Sequence, residues 1–275
     1  MHRSETFVDR TYRFLPLLAR AATAALAFVA IPSLAPAAVP GVELLPHRAA
    51  YRLSLLESEG GTALSEVRGG LVLEFRAACD GWLSQQRLGF VAEAAEGPGF
   101  TYDVRFSSWE SRDSTRLRFN VRSFDGRELQ DEFRGLAKLE APGGKGTARY
   151  NEPKGTEIAL PAGTIFPTEH VRELIEAARA GERLVSRQVF DGSGEDALTL
   201  ATAVIGSPSG KGKERRWPVS LAYFPLLEET MLPQFEIAFD LAENGVLHDM
   251  TLDYGDFTLK ADLEKLEPLE QPACR

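Results

Sequence analysis

From Tyr51 onward, hydrophobic and polar residues alternate along most of the chain, the period of a strand with one face buried. Tyr51, Leu53 and Leu55 open the series, and Val67, Leu71, Leu73 and Phe75 continue it beyond Gly60-Gly61, which reads as a turn. Trp82, Leu88 and Phe90 mark a third strand, and the same period runs from Phe100 to Trp109 and through Leu117, Phe119 and Val121. Asp125-Gly126 predicts a hairpin into a strand from Leu129 to Leu139, Pro142 to Gly146 reads as a loop, and Thr156 to Leu160 is extended. Further strands are expected over 184–190, 198–205 and 217–224. The clearest alternation sets Phe235, Ile237, Phe239 and Leu241 against Glu236, Ala238 and Asp240. It turns at Asn244-Gly245 into a strand over 246–254, and Phe257, Leu259, Ala261 and Leu263 follow. About ten to fourteen such segments exceed what one flat open sheet holds, so the sheet must curl or close.

One stretch breaks the period. Val171, Leu174, Ile175 and Ala178 recur at helical spacing, which predicts an amphipathic helix near residues 168–180. Thr168 is placed to cap it, Glu169 puts negative charge in its first turn, and Gly181 suits the left-handed stop. Arg172, Glu173, Glu176 and Arg179 should face away from the apolar stripe. In the preceding loop Pro161 and Pro167 fix the path, Phe166 is expected to pack near the turn of Leu174, and His170 to help hold the loop. The fold class is therefore mainly β: a single many-stranded antiparallel curled sheet, open-barrel-like, plugged by one principal helix. Such a sheet leaves an apolar cup suited to a lipid or acyl ligand.

The first residues do not join this pattern. Arg10, Arg13 and Arg20 precede an apolar run from Ala21 to Ile31, and Ala35-Pro36-Ala37 fits a small-x-small cleavage site. Residues 1–37 read as a secretory signal peptide and 38–275 as a single domain, with no transmembrane anchor after cleavage. The leader carries Arg3, Arg10, Arg13 and Arg20 against Glu5 and Asp9, so its removal moves the net charge from −9 to −11. That surplus argues against nucleic-acid binding, which draws on cations to displace counterions. In an exported chain the only two cysteines, Cys79 and Cys274, read as one disulfide. Closing so long a loop would stabilise by about 5 kcal/mol at most. The predicted compartment is the periplasm of a Gram-negative cell.

Candidate chemistry is sparse. His248, Asp249, Asp253 and Asp256 invite a metal reading, but strand alternation puts Asp249 and Asp253 on one face and His248 on the other with Val246, Met250 and Leu252. His47 and His170 neighbour no nucleophile motif, and Gly-x-Ser-x-Gly is absent. An envelope hydrolase would require one of these histidines within reach of a nucleophile in a cleft. The glycine-rich pieces at 143–146 and 210–212 open no helix and so do not form phosphate loops. Lys211, Lys213, Arg215 and Arg216 beside Trp217 form a basic patch that would suit headgroups or an acidic partner.

Six segments together carry a resemblance: Leu45-Pro-His-Arg-Ala-Ala-Tyr51, Leu160-Pro-Ala-Gly-Thr-Ile-Phe-Pro-Thr-Glu-His170, Arg216-Trp-Pro-Val219, Glu243-Asn-Gly-Val246, Leu252-Asp-Tyr-Gly-Asp-Phe257 and Pro272-Ala-Cys274. In this order and with these cysteines the chain resembles the EipB cell-envelope-integrity family. The resemblance implies an exported β-spiral protein, similar to lipoprotein-carrier folds, with Cys79 and Cys274 bonded. It also implies a non-catalytic role in maintaining the envelope, no catalytic or metal residues, no cofactor, and a periplasmic tetratricopeptide-repeat protein as partner.

Overall fold

The computed structural model describes residues 41–58, 64–226 and 232–274; the leader and the Gly60-Gly61 turn lie outside them. Eight strands run outward in sequence as an antiparallel meander: β1 (His47–Ser58), β2 (Leu64–Ala77), β3 (Gly81–Ala94), β4 (Phe100–Ser111), β5 (Arg116–Asp125), β6 (Glu128–Leu139), β7 (Gly146–Glu152) and β8 (Glu157–Leu160). A three-residue link leads to the two-residue β9 (Thr164–Ile165), then the helix α1 (Pro167–Ala180) and β10 (Leu184–Phe190), which runs parallel to β9. The return meander is β11 (Leu198–Ile205), β12 (Arg216–Pro225), β13 (Phe235–Ala242), β14 (Leu247–Asp253) and β15 (Phe257–Pro268). β15 lies against β1, so all fifteen strands form one sheet whose edges are β8 and β9. Those edges are consecutive in the chain, and the sheet therefore rolls until they meet. Both are very short, which leaves little unpaired backbone.

Most of the strands follow the alternation, and Asp125-Gly126 and Asn244-Gly245 stand at their hairpins. The sheet has one strand more than the expected range, because β7 and β9 carry too few apolar residues to register as strands. From Gly41 onward the chain is one compact unit. Cys79, just after β2, is joined to Cys274, with Cα atoms 5.4 Å apart, so the tail beyond β15 is fastened across β1 to the end of β2.

Leu174, Ile175 and Ala178 are buried as the stripe predicts, and Gly181 ends the helix at φ 81°. The start differs. Pro167 occupies the first helical position, where its fixed φ and missing N–H cost nothing, so the helix begins before Thr168 and has no side-chain cap of its own. Its open amides are taken by a residue far away in sequence: the amides of Thr168 and Glu169 donate to the two carboxylate oxygens of Glu110, at 2.8 and 3.1 Å. Phe166 does not staple to Leu174; it enters a separate cluster with Leu160 and Phe190. The polar side of the helix is only partly open: Glu176 is exposed, but its neighbours are not. Glu173 pairs with Arg187, and Arg179 with Glu243 at 3.1 Å, all half-buried, so the rod is enclosed on more than one side.

The interior holds two apolar clusters. The larger joins α1 to β1–β3 and β10–β15. The smaller fills the space between β5–β8, Phe166 and the junction of β10 and β11.

Candidate functional site

Strand register defines the inner wall beside the helix. One cross-strand row is Ala49, Leu73, Gln86, Phe106 and Val121; the next is Tyr51, Leu71, Leu88, Val104 and Ser123. At β1 these rows are sealed, but Leu71, Leu73, Leu88, Val104 and Phe106 are only half-buried and Gln86 is exposed. The helix shares the larger cluster with β1–β3 and β10–β15, yet part of the β2–β4 wall is left only half-covered. A hollow remains between the helix and this wall.

At one end of this hollow lies a pocket of about 150 Å³, floored by Pro167 and Thr168 of the helix start. Leu44, Leu73, Phe75, Phe106, Val171 and Leu247 make it mainly apolar, while Ser84, Gln86, Ser108 and His47 add polar groups. The turn Asn244-Gly245 also lines it. That turn is docked by the Leu45 amide, which donates to the Asn244 carbonyl at 2.9 Å. Gly245 is required twice over: its φ is 85°, and a Cβ there would stand 2.7 Å from Leu44. Beyond the pocket the inward face of the wall carries Leu88 and Val104 and then a series of rings. Tyr102 and Phe90 (5.2 Å between centroids), Phe257 and Tyr254 (5.1 Å), and Phe235 form a continuous aromatic lining. From Ser108 to Tyr102 the inward face of β4 spans on the order of 20 Å, given the rise per residue of a strand.

Three buried groups are electrostatically unusual, and of these His47 lines the pocket. His47 is 3% exposed; its Nδ1 donates to the Leu45 carbonyl at 2.7 Å, and its Nε2 is buried with no partner in the protein. Burial holds this imidazole below its ordinary pKa, so the ring is neutral and Nε2 is an unsatisfied acceptor. Glu110, directly behind Thr168, is pushed up to about 7 by burial, while the two helix amides favour its ionised form. His170 is lowered to about 4 by burial, with Arg187 acting in the same direction.

The other expected residues fall elsewhere. The His170 ring makes no bond to the loop before it; Nε2 is buried and unpartnered, and only its backbone amide reaches the Phe166 carbonyl. His248 does not share a face with Met250 and Leu252. Asp249 takes φ 47° in a bulge opposite β13, which flips the alternation and leaves His248 beside Asp240 while Met250 and Leu252 point inward. Among the described residues no group of three metal-ligating side chains gathers, and none of His47, His170 and His248 bonds a side-chain hydroxyl or thiol. Trp217 is 2% exposed in the large cluster, with Arg215 over its ring at 5.8 Å, so it cannot present itself to headgroups beside Lys211. Residues that sequence reasoning passed over are Gln86, Phe106 and Glu110. A signal existed for the first: Ser84, Gln86 and Ser108 put polar groups on the inward register, where a filled core would have apolar ones.

The EipB-like family profile matches residues 38–270. The chain is 35% identical over 247 residues to the cell envelope integrity protein EipB of Brucella abortus, covering 85% of this chain and 87% of that one. This chain belongs to the EipB-like family. It is also similar to a crystal structure from Brucella abortus described as a beta-barrel-like protein of a domain of unknown function. There the TM-score is 0.77 and the identity 34%, over 84% of this chain and all of the other. Segments of the family resemblance converge on the pocket: Leu45 and His47, Pro167 and Thr168, and Asn244 and Gly245 all line it. The family's relative is named for an envelope role, and among the described residues of this EipB-like chain no helix is long and apolar enough to cross a membrane.

Proposed function

We propose that this EipB-like protein is exported to the periplasm and supports the envelope without catalysis, by holding an apolar chain of an envelope component in an interior trough that continues from the pocket along the β2–β4 wall. The observation that carries this reading is the half-covered apolar wall of β2–β4 facing a pocket built where the family segments meet. Its size narrows the ligand. A cavity near 150 Å³ matches one that holds a single small hydrocarbon such as benzene, and is below the usual range for a whole small molecule. It therefore suits the end of a chain, with the rest lying along the trough, as a lipid or the acyl group of a lipoprotein would lie. The His47 Nε2, with Gln86 nearby, would accept a hydrogen bond from a polar group on the same ligand.

The test is solvent extraction and mass spectrometry of the protein purified from the periplasm of its own host. Acyl species should be recovered from the natural protein and lost from Ser108→Phe, which fills the pocket. Recovery of apoprotein alone would remove the reading. Turnover of an envelope ester, abolished by His47→Ala, would replace it with a hydrolase.

A further inference from the structure

The outer face of the same wall carries charge in an unusual order. Register places Arg87, Arg105 and Arg122 directly opposite one another on β3, β4 and β5, all outward and 63%, 51% and 46% exposed. Like charges facing across adjacent strands repel, and an ordinary solvated face alternates the signs instead. Carboxylates only partly compensate. Asp103 serves both Arg87 and Arg105, at 2.9 and 2.8 Å, and Glu74 serves both Arg48 and Arg76, while Arg122 pairs with Glu132 at 2.9 Å and Arg134 with Glu152 at 3.7 Å. Arg118 has no carboxylate partner among the described residues and lies over the Trp109 ring at 5.0 Å. The positive surplus is local, since the whole chain carries −9.

These side chains rim a groove. A concavity of about 630 Å³, lined by Arg48, Arg87, Arg105 and Arg122, adjoins another of about 560 Å³, lined by Arg118 and Arg134. The two share Gln85, Ser107 and Asn120 as a common polar floor. Leu83, Trp109 and Leu136 give the second part an apolar strip. Guanidinium forks match oxyanions in bidentate fashion, amide and hydroxyl groups match sugar hydroxyls, and an indole with flanking leucines matches the apolar face of a sugar ring. A concave track across several strands fits a linear chain better than a planar bilayer. We infer that this groove binds an anionic oligosaccharide, with phosphate or sulfate groups on the arginine row and sugar rings over Trp109.

The experiment is fluorescence anisotropy of a labelled heparin-derived hexasaccharide with the full-length exported protein. Saturable binding is expected, weakening several-fold per anion contact between about 50 mM and about 200 mM salt. The Arg105→Gln, Arg122→Gln double variant should bind about tenfold more weakly with a shallower salt slope. The charge-conserving double replacement by lysine should retain most of the binding, and Arg52→Gln, whose residue pairs with Glu264 away from the groove, should behave as the natural protein. Failure of the natural protein to bind at low salt, or equal binding by the double glutamine variant once a thermal melt shows it folded, would overturn the inference. So would binding to phosphatidylglycerol vesicles without affinity for the hexasaccharide, an outcome that assigns the face to a membrane surface.

Discussion

The two apolar clusters are built by the same strand alternation but filled to different degrees. In the smaller, Leu117, Phe166 and Phe190 have no exposure, and Phe119 meets Tyr150 and Phe190 edge-on at 5.0 and 5.7 Å. In the larger, the helix seals the side of β10–β15, while Ser84 and Ser108 on the far wall are too short to close the gap. A sheet rolled around a single helix is thus solid where large rings meet from opposite walls and hollow where small polar residues stand in their place. The solid end supplies stability, and the hollow side is available for binding.

The difference predicts a graded series. Phe190→Ala should lose about 3–5 kcal/mol in urea unfolding, because it opens a void in the filled cluster, and Leu174→Ala about 2–5 kcal/mol on the sealed face of the helix. A loss under about 1 kcal/mol for Phe190→Ala would show that the two clusters are equally loose. Cys79→Ser or Cys274→Ser should cost about 2–4 kcal/mol, with reductant lowering the melting temperature of the natural protein only. Phe106→Ala, in the wall of the hollow, should cost no more than about 1 kcal/mol, since it enlarges a space that already exists.

The junction of the two regions gives a pH test. Glu110 has a folded pKa of about 7 against an ordinary 4.5, so the folded state holds an extra proton and stability falls as pH rises through that window. His170 has a folded pKa of about 4 against 6.5, so the unfolded state holds the extra proton and stability falls as pH drops from 6.5 toward 4. The two slopes oppose each other between about pH 4.5 and 6.5. Glu110→Gln should therefore make stability rise more steeply with pH across that interval, since His170 and His47 then act without its opposition. A slope unchanged by this variant would mean that Glu110 does not titrate as its burial implies.

Much of the architecture was legible because it is local. Alternation from Phe235 to Leu241 marks an amphipathic strand, and Asn244-Gly245 marks its turn. What escaped was set by contacts distant in sequence or by one backbone angle. Nothing around Glu110 shows that it will cap a helix that starts at Pro167, since the partners meet only when the sheet rolls. The alternation around His248 fails because Asp249 adopts a left-handed conformation, which few non-glycine residues do. The pocket was readable in outline as a cup inside a curled sheet, but its position depended on Ser84, Gln86 and Ser108 sharing a face with Phe75 and Phe106. Only the register reveals that.

The hollow between the helix and β2–β4 is proposed to receive an apolar chain. Calorimetric titration of the delipidated protein with a long-chain fatty acid tests it most directly, comparing the natural chain with Phe190→Leu in the solid cluster and Ser108→Phe in the hollow. Saturable binding in the first two, absent from a folded Ser108→Phe, is the predicted result. No saturable binding by the natural protein, or equal binding by Ser108→Phe, would contradict it.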